Sequence, residues 1–159
     1  MNNKNKQLRH KPIAAWKFKF LLNLYPPMLA AGIKMTHLSD DYRDITVILK
    51  QRWYNTNYVG TIFGGAMYTM ADPFYMLILL RNLGEQYIVW DKAASIDFKK
   101  PGRGTLTAIF RFSDEELQEI RNQADQRDKY VFDKPVDLVD QDGVIAATVI
   151  KTLYVRRKT

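Results

Sequence analysis

Cysteine is absent from the 159 residues, which excludes disulfides, thiolate metal sites and cysteine nucleophiles. Histidine is nearly absent too: His10 and His37 are the two present, too few and too poorly grouped to hold a metal. The acids show no calcium-loop spacing, so neither a metal nor a separate cofactor is expected. The Gly-x-Ser-x-Gly elbow of a serine hydrolase is also missing. Acidic residues are lacking from residues 1–39, which hold seven Lys or Arg, while residues 40–159 hold seventeen of each sign. The net charge of +7 therefore belongs to an N-terminal arm. Such an arm could meet anionic lipid, nucleic acid or substrate phosphates, or stand in solvent. Stacking aromatics interleaved with basic residues are scarce beyond Trp16, Phe18 and Phe20, so no nucleic-acid partner is expected.

What is present describes one globular domain: 47% hydrophobic and 13% aromatic residues, enough for a sizeable core. Residues 1–32 read as a basic arm with an amphipathic helix, and residues 33–159 as a single domain. Residues 1–12 are polar and basic and are expected to fray. From about Ala14 to Tyr25, Trp16, Phe20, Leu21, Leu24 and Tyr25 recur at helical spacing, and Pro26 stops the helix. The helix is read as packed on its own domain in preference to lying on a membrane. Lys17 and Lys19 interrupt its apolar stretch, unlike a secretory signal, so a cytoplasmic location is expected.

Strands follow by alternation. Residues 33–38 form a short one, and Ile45, Val47 and Leu49 alternate with polar residues in the next. Residues 88–99 alternate again; the turn Pro101-Gly102-Arg103-Gly104 reverses the chain into Leu106, Ala108, Phe110 and Phe112. Ser113 and Glu116 make a capping box before a short helix, and Asp142-Gly143 joins a last pair of strands. The order predicts an α+β domain, an antiparallel sheet wrapped around one helix.

That helix lies in residues 57–80, NYVGTIFGGAMYTMADPFYMLILL, an apolar run with Asp72 as its one charge. It is long enough to span a bilayer, which takes about 20 apolar residues. An aspartate followed by proline near its middle, and the amphipathic strands around it, favour burial in a domain instead. A carboxylate on a buried helix is costly unless paired or used. Asp72 shares a stripe with Gly65, Tyr68 and Thr69 by three- and four-residue spacing. Gly64 and Gly65 permit close approach to the helix start, either by a thioester oxygen or by a packing neighbour.

These residues resemble the hotdog superfamily in its acyl-CoA thioesterase branch, which carries Asn, then His-Gly-Gly opening the helix, then Leu-Ala-Asp. Here the set reads Asn57, Phe63-Gly64-Gly65 and Met70-Ala71-Asp72, and Phe98-Lys99-Lys100-Pro101 with Arg103-Gly104 is similar to the family's strand-end Lys-Pro turn. The similarity covers roughly residues 40–156 and extends to a subgroup described as tetrameric acyl-CoA thioesterases. It implies a hotdog fold, a homodimer paired further into a tetramer, and an acyl-CoA substrate that brings its own coenzyme A. It implies Asp72 as base or nucleophile, Asn57 placing water or thioester, and the Gly65 amide binding the thioester oxygen. Phe63, Gly64, Tyr68 and Thr69 would line the acyl site, and Lys99, Lys100 and Arg103 would meet phosphates. Phe63 departs from the family's His, so a non-catalytic acyl-CoA or lipid-binding protein is the alternative.

Overall fold

The computed structural model describes residues 13–158. The basic start expected to fray, residues 1–12, and Thr159 lie outside it. In chain order the elements are α1 (Ala15–Asn23), α2 (Pro26–Ala31), β1 (Ile33–Leu38), β2 (Asp44–Lys50), a 3-10 turn (Trp53–Asn55), α3 (Gly64–Ala71), α4 (Phe74–Leu83), β3 (Tyr87–Phe98), β4 (Thr105–Arg111), α5 (Asp114–Gln126), β5 (Tyr130–Val139) and β6 (Ile145–Arg157). Six strands make one antiparallel sheet in the order β1-β2-β4-β5-β6-β3.

The sheet wraps the apolar run. Met67, Met70, Ala71, Phe74, Tyr75, Ile78 and Leu79 of α3 and α4 are buried against Ile45, Val47 and Leu49 of β2, Leu106, Ala108 and Phe110 of β4, and Val149, Leu153 and Val155 of β6. Phe74 and Tyr75 both pack on Phe110, with ring centroids 4.9 and 5.1 Å apart. Each such buried side chain contributes about 1.5–3 kcal/mol relative to exposure. The Tyr75 hydroxyl, enclosed with them, donates to the Pro135 carbonyl at 2.7 Å. No helix among the described residues is long and apolar enough to cross a membrane.

The structure adds to or alters several expectations. The central helix is two pieces, because Pro73 has no N–H for the Thr69 carbonyl; the Asp72 amide closes on that carbonyl at 3.2 Å, and α4 starts afresh. The Pro101–Gly104 turn reverses the chain as expected, but across the sheet: β3 lies at the sheet's edge and β4 in its interior, and the two run in opposite directions. Pro26 stops α1 and also opens α2, where its fixed φ suits a first turn. Finally, α1 packs through Ala15, Phe18 and Leu22, whereas the stripe of Trp16, Phe20, Leu21, Leu24 and Tyr25 faces outward.

The position of α1 is fixed by an amide. Asn23 donates to the Met35 carbonyl at 3.0 Å and accepts from the Met35 N–H at 2.7 Å, and the Lys19 ammonium donates to the Thr36 carbonyl at 3.3 Å. The outer edge of β1 is therefore covered, as exposed strand edges require. Among the described residues, the outer edge of β3 carries no such cover. Asn23→Ala should strip both partners from Met35 and cost about 1–3 kcal/mol, the range for leaving enclosed polar groups unpaired. Urea denaturation measures this, and an unchanged midpoint would refute the role given to the amide.

Candidate functional site

The helix start is built by the loop before it. The Asn57 carbonyl oxygen of the side chain accepts from the amides of Val59 at 3.2 Å and Thr61 at 3.0 Å, and its NH2 donates to the Thr61 hydroxyl at 2.8 Å. This local turn absorbs the side chain's polar groups. The Phe63 amide then donates to the Asn55 carbonyl and the Ile62 amide to the Gly102 carbonyl, both at 2.8 Å. These bonds aim α3 without capping it. Phe63 has no oxygen to cap with, and among the described residues the Gly64 and Gly65 amides have no acceptor. Two unpaired N–H groups therefore stand at the positive end of the helix dipole.

Aromatic rings flank both amides. A Cβ at Gly64 would lie 2.9 Å from the Phe98 ring, and one at Gly65 would lie 2.3 Å from the Phe63 ring. Each glycine therefore admits a ring that any other residue would displace. The Phe63 ring, at the motif's His position, is itself 57% exposed.

Two hollows open beside this start. The first, about 340 Å³, is bounded by Pro27, Ala30 and Ala31 of α2 and by Phe63, Gly65 and Thr69. The second, about 480 Å³, brings Asn57 and Gly64 together with Phe98, Lys99 and Lys100. Tyr68 lines neither. The basic turn is internally paired: Lys99 with Asp97, Lys100 with Asp140, and Arg103 donating to the Gly60 carbonyl at 3.0 Å. The Lys100 ammonium and the Val144 amide hold the Asp140 carboxyl below the usual carboxylate range.

Asp72 is not buried. Its side chain is 56% exposed, and one oxygen accepts from the Lys151 ammonium at 3.0 Å. Lys151, by contrast, is 2% exposed and also lies 3.3 Å from Asp91 on β3. Burial pushes the Asp91 carboxyl upward against the pull of that ammonium. Its second oxygen is buried with no partner among the described residues. Asp72 stands apart from the helix start: seven residues of helix separate it from Gly65, about 10 Å at 1.5 Å per residue. One chain thus brings Phe63, Gly65 and Thr69 together, and Asn57, Gly64, Lys99 and Lys100 together, but does not bring Asp72 to either group.

Lys151 and Asp91 were not among the residues expected at the site. The signal for Lys151 lies in phase: Ala147, Val149, Leu153 and Val155 alternate inward on β6, and Lys151 falls in the same register. Asp91 follows Tyr87 and Val89 in the same way, but a bulge between Asp91 and Ala93 breaks the alternation behind it.

A family model described as Domain of unknown function (DUF4442) matches residues 14–155. Among solved structures, the chain is similar to a protein of Pseudomonas aeruginosa, PA5026, described as a probable thioesterase: 18% identity, 94% of this chain and 99% of that one, TM-score 0.83. It is also similar to thioesterase HI1161 of Haemophilus influenzae, at 15% identity over 92% and 93% of the two chains, TM-score 0.66. A variant of thioesterase PA1618 from Pseudomonas aeruginosa gives 16% identity over 94% and 98%, TM-score 0.65. No curated protein matches. The sheet, the wrapped helix and these likenesses together make the fold the hotdog fold.

Removing the buried cation is the direct probe of its setting. Lys151→Ala encloses Asp91 without its partner and should cost about 3–5 kcal/mol, as breaking a buried pair does. A carboxyl raised in the folded state binds its proton there more tightly than in the unfolded chain. Stability therefore falls as pH rises from the ordinary carboxylate range through the raised value. That slope should be steeper in Lys151→Ala than in wild type and absent from Lys151→Ala/Asp91→Asn. Urea midpoints across a pH series read it, and parallel profiles for all three proteins would contradict the assignment.

Proposed function

The chain belongs to the DUF4442 family, and from that premise and the site's geometry we propose that it hydrolyses acyl-coenzyme A thioesters. The observation that carries this reading is the pair of unpaired amides at Gly64 and Gly65, set between an apolar hollow and a basic rim. A thioester carbonyl seated there gains negative charge on its oxygen during attack. Preorganised N–H groups at a helix start stabilise such an oxyanion, typically by a few kcal/mol per donor. The acyl chain fits the hollow walled by α2 and Phe63. The coenzyme A phosphates go toward Lys99, Lys100 and Arg103 on the other side of the helix start.

The attacking group has to come from a second copy. Asp72 lies about 10 Å from its own helix start, beyond reach through a single water. It sits above the β6–β3 end of the sheet, through Lys151 and Asp91, beside the strand edge left uncovered. Pairing of two copies along β3 supports a homodimer in which Asp72 of each faces the other's helix start, and a further pairing of dimers gives the tetramer. Asp72 acts as base or nucleophile, and Lys151 holds one of its oxygens so that the other is free to accept a proton.

One observation favours the alternative, an acyl-CoA or lipid binder without turnover: the Phe63 ring lies against Gly65 where the motif has an imidazole. Thiol release across a panel of acyl-CoA substrates separates the two. Asp72→Asn should lower turnover about a hundredfold or more while leaving acyl-CoA affinity nearly unchanged. Wild-type turnover in that variant would remove Asp72 from the mechanism, and tight binding with no release by wild type would establish the binder. The rim has its own test. Asp140→Asn keeps the turn oxygen that accepts from the Asp142 and Val144 amides but frees Lys100. It should tighten acyl-CoA binding, and Lys100→Ala should weaken it, both effects shrinking with salt. Titration calorimetry showing no change in either would move the phosphates elsewhere.

A further inference from the structure

Among the described residues, the outward face of α1 and α2 has no partner. Trp16, Phe20, Leu21, Leu24, Tyr25 and Leu29 are each more than half exposed, from 51% at Leu29 to 66% at Trp16. Trp16, Phe20 and Leu24 recur every four residues on one side of α1, and the Lys17 ammonium lies 5.3 Å over the Trp16 ring. Singly exposed apolar residues are ordinary, but a contiguous set with three aromatics marks an interaction site.

Charge decides what covers it. Residues 1–39 carry seven Lys or Arg and no acid. Two copies meeting through this face would oppose like charges, which an association interface avoids. An anionic lipid surface attracts a basic arm, at about 1 kcal/mol per Lys or Arg close to the membrane, and among the described residues Lys17 stands on the exposed face itself, over the Trp16 ring. Trp, Tyr, Phe and Leu on a short amphipathic helix, with Lys able to extend its ammonium to the headgroups, are the residues that settle into the interface. Position agrees. α1 covers the β1 edge while β3 lies at the opposite end of the sheet, five strand spacings or about 24 Å away, so pairing along β3 leaves this face open.

We infer that α1 and α2 form a docking face for an anionic lipid bilayer and so set the hollow walled by α2 beside the membrane. The link runs through α2 itself. Leu29 points outward, while Pro27, Ala30 and Ala31 of the same turns wall the hollow beside Gly65. A long acyl chain partitioned in the bilayer then enters the hollow without crossing water. This last step rests on the thioester reading; the docking does not.

The test is cosedimentation of the full chain with vesicles of phosphatidylglycerol and phosphatidylcholine in equal amounts, compared with vesicles of phosphatidylcholine alone. Binding to the anionic vesicles should be about tenfold tighter or more, and should weaken as salt rises from about 0.05 to about 0.5 M. Trp16→Ser/Phe20→Ser/Leu24→Ser alters exposed side chains only. It should lose about tenfold or more in vesicle binding, with circular dichroism and thiol release from short-chain acyl-CoA as in wild type. Lys17→Glu retains the apolar face and should weaken binding about fivefold or more. Wild-type chain that stays off anionic vesicles, or a triple variant that binds them equally, overturns the proposal. If wild type stays off and the triple variant sediments at lower mass, the face is a contact between copies instead. Vesicle binding is read without turnover, so its failure and a failure of thioester hydrolysis are separate results.

Discussion

The apolar run that becomes α3 and α4 carries a broad face unfit for water, Met67, Met70, Phe74, Ile78 and Leu79 all being buried, and this constraint dictates the rest of the chain. A helix with so broad an apolar side needs a partner surface that curls around it, which one antiparallel sheet with a right-handed twist provides, leaving Asp72 and Leu80 to reach solvent. The inward positions of β2, β4 and β6 supply that surface, and Phe110 takes both Phe74 and Tyr75. The helix pieces then cannot rotate or slide without opening cavities, so their ends are held as firmly as the core. Gly64, Gly65 and Asp72 inherit that rigidity although each lies near the surface.

The polar parts of the site are set by what the core refuses to leave unpaired. An ammonium held from water requires anions, and Lys151 finds one on each side: Asp91 from β3 and Asp72 from the break before Pro73. The break is therefore useful as well as unavoidable. It turns a carboxylate off the helix axis at the point where Lys151 can meet it. At the other end, Phe63 in place of a capping side chain keeps two amides unbonded. Helix beginning and helix break thus carry complementary charge, partial positive and full negative, about 10 Å apart.

Much of this was legible in the residues. Period-two alternation gave β2 and β4 because one face of each is buried and the other is not. Ser113 with Glu116 gave the start of α5, since that pair satisfies two orphan amides reciprocally, as the structure shows. The β5–β6 turn at Asp142-Gly143 followed from turn chemistry, with Gly143 at φ 78°. What failed was non-local. A Pro-Gly turn says that the chain reverses but not where in the sheet the next strand lies, so the separation of β3 from β4 by two strands was not legible. Trp16 and Phe20 read as a packing stripe because hydrophobicity marks a helix face without saying what lies opposite it. Lys151 was passed over because a lysine in a strand is normally counted as outward, and only the phase of its neighbours says otherwise.

The Asn23 amide on β1 has a consequence for assembly. A sheet with two bare edges can recruit a neighbour at each, and recruitment then repeats without end, the geometry of a growing fibre. Here Asn23 and Lys19 occupy the Met35 and Thr36 groups in the middle of the β1 edge, and among the described residues the β3 edge has no such cover. Two copies joined there by a twofold axis, as in the proposed homodimer, would consume both free edges and present a sealed one at each end. In that arrangement one asparagine would make strand-to-strand growth stop at a closed pair, and a chain this rich in β-structure would keep a long bare strand without becoming a seed for aggregation.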